Sequence, residues 1–332
     1  MDYRNLDGSD VEVSRVIFGA WAIGGWMWGG SDDENAVAAI NKAIDEGITT
    51  IDTAPMYGFG HSERMVGEAI RGRRDEVVIA TKCGLRWDLE EGERFFETED
   101  RDGNKHTIYR NLKKDSILEE VDRSLERLGI ESIDLYQCHW PDTTTPLEET
   151  MEALNQILEE GKARAVGVSN FTVDMIKEAR NYGPIVSDQP LYNMLDRDIE
   201  EELLPYCDRA NVSVICYSPL HQGLLTGAVT MDREFNEGDQ RRSKPWFQPE
   251  NRRRVLDFLD DVRPIAEEHG KTLAQLAVNW CLSQRGLTAA IVGARTPEQV
   301  VENAGGAGWR LSDDELGQIR KWLEQLDGPI RS

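Results

Sequence analysis

The sequence predicts a single closed (β/α)8 barrel of the α/β class, with an N-terminal β-hairpin and extra C-terminal helices. Three observations carry this expectation. Eight short apolar runs recur along the chain, helix-period segments separate them, and neither a composition break nor a Pro/Gly-rich linker divides the 332 residues. A barrel of this kind reaches such a length as one unit, so residues 1–332 read as one domain.

Taken in order, residues 3–6 and 11–13 flank Asp7-Gly8-Ser9, turn chemistry between two short arms, and predict the hairpin. Eight candidate strands follow at 16–19, 50–53, 77–82, 133–139, 164–169, 186–189, 212–217 and 289–293. Their near-continuous apolar character fits parallel strands covered on both faces. Between them, residues 31–34 fit a capping box, Val37, Ile40 and Ile44 share a helical face, and Gly47 supplies a stop. Leu118, Val121, Leu125 and Leu128 repeat at helical spacing before Gly129, as do Leu147, Met151, Leu154 and Leu158 before Gly161. Shorter faces lie at 175–179 and 200–207, two helices at 250–269 and 272–283, and a second capping box at 312–315 opens a terminal helix. One long interruption, 84–111 after the third strand, is charged yet carries Trp87, Phe95, Phe96 and Tyr109, and reads as a long loop that is functional or partly disordered.

Composition narrows the function classes. Asp and Glu outnumber Lys and Arg 61 to 38, a net charge of −23 that repels phosphate backbones and anionic lipid. Nucleic-acid and membrane partners are therefore not expected. No stretch approaches the ~20 apolar residues of a bilayer span, and the acidic N-terminus lacks the apolar core of a signal peptide. Five scattered cysteines without CxxC spacing suit reduced thiols in the cytoplasm.

Barrel chemistry belongs at the C-terminal ends of strands and in the loops that follow. Polar residues gather at those places: Asp52 and then Tyr57, Lys82, His139, Ser169-Asn170, Gln189, and Tyr217-Ser218. Each alone has a structural explanation, such as a helix cap. A lysine closing an apolar strand is more telling, because a buried ammonium needs a partner, and Asp52 on the neighbouring strand can supply it.

Six ordered motifs make the chain resemble the aldo-keto reductase family over nearly its full length. They are DTAxxYGxxxSE at 52–63, ATK at 80–82, DLYQxHxPD at 134–142, GKxRxxGVSNF at 161–171, YSPLxxGLLTG at 217–227 and GARTPEQVVEN at 293–303. Within the family the chain is similar to bacterial stress-protein and inositol-operon reductases and to potassium-channel β subunits. The resemblance implies a TIM-barrel oxidoreductase that reduces aldehydes and ketones by hydride transfer, with Tyr57 as proton donor and Lys82, Asp52 and His139 assisting. A cation beside the phenol is expected to lower its pKa from about 10.

The resemblance also implies a nicotinamide cofactor without a GxGxxG loop. Gly19, Ala20, Trp21 and Asp52 would lie beside it, while Ser169, Asn170 and Gln189 would hold its carboxamide. Tyr217 would stack on the nicotinamide, and Ser218, Leu220, Gln222, Gly223 and Leu225 would cradle the pyrophosphate. Gly293, Arg295, Gln299, Glu302 and Asn303 would take the adenosine end, with Arg241 a second cation. Gly293 and Gln299 stand where many members carry Lys and Arg, which leaves Arg295 to favour NADPH over NADH. The expected substrate pocket is Trp21, Tyr57, Trp87, His139 and Trp140, with Trp26 and Trp28 nearby. Arg86, Arg94 and Arg110 in the 84–111 segment would suit an anionic carbonyl substrate, and small aldehydes, α-ketoaldehydes and sugars all remain open. A rival expectation is a cofactor-sensing subunit like the channel β proteins. A metal-dependent isomerase would need ligands gathered at the strand ends, where only His139 and Asp52 stand. Oligomeric state does not follow from the sequence.

Overall fold

The computed structural model describes residues 1–236, 238–326 and 328–330. The chain opens with an antiparallel hairpin, β1 (Tyr3–Asn5) and β2 (Glu12–Ser14). It continues through β3 (Val16–Gly19), α1 (Asp33–Asp45), β4 (Thr50–Asp52), α2 (His61–Ala69) and β5 (Val78–Cys83). Three further strands come next: β6 (Leu85–Arg86), β7 (Glu93–Glu99) and β8 (Lys105–Arg110). Then follow α3 (Lys114–Leu128), β9 (Ile133–Cys138), α4 (Leu147–Glu159), β10 (Ala163–Ser169), α5 (Val173–Ala179) and β11 (Ser187–Gln189). The remainder is α6 (Leu203–Ala210), β12 (Ser213–Tyr217), α7 (Pro249–Glu268), α8 (Leu273–Leu282), β13 (Leu287–Gly293), α9 (Pro297–Ala304) and α10 (Asp313–Leu326).

Strands β3, β4, β5, β9, β10, β11, β12 and β13 pair in parallel and close into a barrel, in chain order. This is the expected (β/α)8 architecture with its hairpin, and each strand falls within two residues of its expected bounds. The bottom of the barrel is filled by apolar side chains. Leu6, Val11 and Val13 of the hairpin region pack with Ile17, Leu135, Ile215 and Ile291 inside it. A second apolar layer, including Ile40, Val66, Val121, Leu154 and Trp280, lies between the strands and the helices.

Three details differ from the sequence expectation. Segment 84–111 is a three-stranded antiparallel sheet in the order β6-β8-β7, not an irregular loop. Helix α1 is capped by Asp32, which accepts the Asn35 N–H at 3.0 Å, whereas Ser31 bonds only the Asp33 side chain. Helices α2 and α9 lack an expectation of their own. The first starts at left-handed Gly60 with no side-chain cap. The second carries a signal that could have found it, Thr296 capping Gln299 with Pro297 in the first turn. The terminal capping box is present, with Ser312 and Glu315 bonding reciprocally.

Candidate active site

The strand ends bring the four expected catalytic residues to one place at the mouth of the barrel. Asp52 closes β4 and Lys82 lies near the end of β5, on adjacent parallel strands whose register pairs Asp52 with Ala80. Both point inward, as the period of two requires of residues spaced evenly from Thr50 and Ala80. The Lys82 ammonium has no solvent exposure and spends its three donors on Asp52 Oδ1 at 2.6 Å, Thr53 O at 3.0 Å and Tyr57 Oη at 3.2 Å. Tyr57 sits in the turn after β4. Gly58, at φ +68°, lets that turn approach the loop after β3, since a Cβ there would come within 2.3 Å of Gly24 O. His139 follows β9, its N–H bonded to Cys83 O at 2.9 Å, and its ring meets Tyr57 edge-on at 5.7 Å. Behind β5, outward-facing Thr81 bonds Glu63, which Arg127 holds in turn.

A continuous polar chain extends from this group across the mouth. Gln189 Nε2 donates to Asp52 Oδ2 at 2.8 Å, and Ser169 Oγ donates to Gln189 O at 2.7 Å. Asn170 donates to Ser169 Oγ and to His139 O, and accepts the Tyr217 hydroxyl at 2.9 Å. Ser169, Gln189, Asp52 and Tyr217 belong to barrel strands, and Asn170 and His139 directly follow β10 and β9.

Burial governs the protonation states. It pulls Lys82 below the ordinary lysine value, an effect that the adjacent Asp52 carboxylate opposes. Burial, and secondarily Asp52, raises the Tyr57 phenol well above its usual value. The expectation that Lys82 alone would lower that value is corrected here, because desolvation and the carboxylate behind the lysine oppose it. Tyr57 therefore holds its proton at neutral pH. Burial, and then the Lys82 charge, pushes His139 well below the ordinary imidazole range, so its ring is neutral.

Asp52, Tyr57 and His139 form the floor of a cleft of about 1230 Å³, and Lys82 lies buried beneath it. Its walls include Gly19, Trp21, Ser169, Asn170, Gln189, Tyr217 and Trp140. Its far end includes Ser218, Leu220, Gln222, Gly223, Arg241, Gly293, Arg295, Gln299, Glu302 and Asn303. Three expected residues lie elsewhere among the described contacts. Ala20 and Leu225 are fully buried behind the wall, and Trp87 packs edge-on against Phe59 in a second layer. The wall also carries residues the sequence reading did not single out for it: Met56, Leu85, Asp196, His221 and Lys244. Of these, His221 lies inside the YSPLxxGLLTG motif at a position the motif leaves free, and it pairs with Asp196 at 2.8 Å.

The far end fits an extended dinucleotide. Ser218, His221, Gln222 and Gly223 all have positive φ, a backbone curl that suits an anion-binding nest of N–H groups. Gln222 Oε1 is buried there without a protein partner. The two cations differ. Arg241 is committed to Asp239 through Nε and Nη2 and stacks over Trp28, whereas Arg295 meets only the carbonyls of Trp28 and Gly30. The arginines that would suit an anionic substrate are likewise committed. Arg86 bonds Asp88 and Glu119, Arg94 bonds Glu97, Arg110 bonds Glu93, and none lines the cleft.

Fold and site together define a nicotinamide-dependent oxidoreductase on a (β/α)8 barrel. The chain belongs to the aldo/keto reductase family, which it matches over residues 15–324. It is 42% identical to the NADH-specific methylglyoxal reductase of Escherichia coli, with 97% of this chain and 98% of that protein covered. Among solved structures it resembles a glycerol dehydrogenase from Gluconobacter oxydans (40% identity, TM-score 0.89, 99% of this chain and 98% of that one). It also resembles an aldo/keto reductase from Klebsiella pneumoniae in complex with NADP and acetate (29% identity, TM-score 0.70, 98% and 96% covered). The chain is an NAD(P)H-dependent oxidoreductase, and carbonyl reduction is the general activity of its relatives. No helix among the described residues is long and apolar enough to cross a membrane.

Proposed function

We propose that the protein reduces aldehydes and ketones to alcohols with NADPH as donor, using Tyr57 as the acid. The observation that carries this reading is the Lys82 ammonium, held at 2.6 Å by Asp52 and at 3.2 Å from the Tyr57 hydroxyl on the floor of the cleft. The bound nicotinamide supplies the hydride. The substrate oxygen sits between Tyr57 and His139, whose neutral ring donates one hydrogen bond and fixes the carbonyl's orientation. As negative charge grows on that oxygen, Tyr57 hands over its proton. The phenolate left behind faces the Lys82 ammonium, so the new charge forms beside a fixed countercharge instead of in bulk water. Asp52 and Gln189 prevent the ammonium from swinging away.

On this reading Ser169, Asn170 and Gln189 hold the carboxamide, and the curl at 218–223 holds the pyrophosphate. Arg295 is the cation for a 2′-phosphate, because Arg241 is already neutralised by Asp239. Five buried, unpaired cysteines support a cytoplasmic setting. The intact set of four residues supports catalysis over pure cofactor sensing. The test is spectrophotometric oxidation of NADPH and of NADH against aldehydes, ketones and sugar phosphates. Turnover of uncharged carbonyls is expected, and none with any substrate would refute the reading.

A further inference from the structure

The inserted sheet contributes to the cleft in a way that specifies a substrate. Strand β7 pairs with β8 through Arg94↔Tyr109 and then Phe96↔Ile108, leaving Phe95 as an extra residue at a bulge. In a regular strand two successive side chains point to opposite faces. A bulge re-aims one of them, and here both Phe95 and Phe96 reach the cleft wall. Their rings lie 4.9 Å apart.

These two rings are the centre of a longer row. Phe96 stacks on Trp26 from the loop after β3, at 6.2 Å and 16° between planes, and Trp26 Nε1 bonds Thr98 of β7 at 2.9 Å. Phe95 meets Trp140 from the loop after β9 at 5.4 Å. The Arg110 guanidinium lies over Phe95 at 3.8 Å from the ring centre and over Trp140 at 5.4 Å, and it is not part of the cleft lining. Glu93 ties Arg110 at 3.1 Å to Thr143, beyond Trp140, so the sheet is anchored to the barrel at both ends of the row. The cation thus buttresses the row from behind and does not face the substrate. No charged side chain of the inserted sheet reaches the cleft.

We propose that this bulged row, with Phe95 and Phe96 as its specificity-determining residues, selects uncharged carbonyl compounds bearing an aromatic ring over phosphorylated or other charged ones. The ring lies along Trp26, Phe96, Phe95 and Trp140 while the carbonyl reaches Tyr57 and His139. Offset or edge contacts between rings reward such a substrate beyond the apolar area it buries, and a row whose one neighbouring cation, Arg110, is already paired with Glu93 leaves a phosphate unpaired. The proposal rests on the reductase reading above.

The test compares kcat/KM for 2-naphthaldehyde, methylglyoxal and a sugar phosphate aldehyde in the wild-type protein and in a Phe95→Ala/Phe96→Ala variant. The wild type is expected to prefer 2-naphthaldehyde. The variant is expected to lose roughly tenfold or more with 2-naphthaldehyde, chiefly through KM, while methylglyoxal changes little. A Phe95→Leu/Phe96→Leu variant, which keeps apolar bulk without rings, is expected to lose less, and melting curves establish that both variants fold. An unchanged preference in folded variants would overturn the proposal. So would a wild type that favours the sugar phosphate, and that result would leave the reductase reading standing. A wild type inactive on all three would refute the reductase reading, and the proposal with it.

Discussion

On one side of the cleft, residues at the ends of five barrel strands hydrogen-bond one another from Tyr217 through Asn170, Ser169, Gln189 and Asp52 to Lys82, with the Gln189 backbone carbonyl accepting from Ser169. On the other side, four aromatic rings from three separate segments lie in a row, and the one cation over them, Arg110, is paired with Glu93. The polar side inherits its geometry from strand register, which cannot shift without reopening the barrel. The aromatic side depends on an inserted sheet docked through Trp26 on Thr98, Glu93 on Thr143 and Arg86 on Ser116 and Glu119. On the proposed reading, chemistry is placed on the rigid element and selectivity on a separable one. Altering the polar side should affect every substrate alike, whereas altering the aromatic side should affect some substrates and spare others.

The largest expected effect comes from the polar side. Lys82→Met should lower turnover by about 10²–10⁴ for all substrates, because Tyr57 loses its countercharge and buried Asp52 keeps only the Gln189 amide in place of its cation. His139→Asn should do less damage, since an amide can still donate to the carbonyl. A Lys82→Met protein with full activity would break the distinction between the two sides.

Next in size is the adenosine end. Arg295→Ala should weaken NADPH binding by roughly tenfold or more, the worth of a charge-assisted contact, and leave NADH binding nearly unchanged. Titration by quenching of tryptophan fluorescence reads both constants. Equal losses for the two nucleotides would show that Arg295 braces the Trp28–Gly30 loop and does not recognise phosphate.

A subtler effect concerns the joint between the sides. Buried Glu120 accepts the Gly84 N–H at 3.0 and 3.2 Å, where β5 turns into the inserted sheet. Burial pushes its carboxyl up to about 7 from an ordinary 4.5. A carboxyl with a raised folded value contributes stability that is fully present below about pH 4.5 and is lost as pH rises through 7. Glu120→Gln removes that titration. Its melting temperature should therefore gain on the wild type between pH 4.5 and 7, by a few degrees on the order expected for a chain of this size. Parallel melting curves across that range would contradict the assignment.

The smallest expected effect is an absence. His139 is held neutral well below the ordinary imidazole value of 6.5, and Tyr57 keeps its proton far into the alkaline range. The kcat/KM profile should then run flat through pH 6.5. A step there that disappears in His139→Asn would show that the imidazole titrates.

The same division decides what the sequence disclosed. The barrel strands were legible because parallel strands covered on both faces are simple apolar runs, and Asp52, Lys82 and His139 stood out because they fall at or just beyond the ends of those runs, whereas Tyr57, in the turn after β4, followed from the motif it shares with the family. Cleft residues inside the motifs followed from the family resemblance. The inserted sheet was not legible. Glu93, Arg94, Glu97 and Glu99 make β7 look like a charged loop, and the bulge sets Phe95 and Phe96 side by side, breaking the alternation that marks a strand. The turn at Asp102-Gly103-Asn104 before β8 was the one available hairpin signal. The partners of Arg86, Arg110 and Arg241 are carboxylates placed by tertiary contacts and by short-range turns, which no periodicity announces. The net effect on the Tyr57 phenol was likewise a matter of burial, not of residue type.

Single-turnover hydride transfer in a Tyr57→Phe protein loaded with NADPH addresses the proton donor itself. Nucleotide affinity should stay near the wild-type value while reduction of 2-naphthaldehyde and methylglyoxal alike falls by at least about 10². Reduction at close to the wild-type rate, with the nucleotide bound as tightly, would mean that some other group delivers the proton.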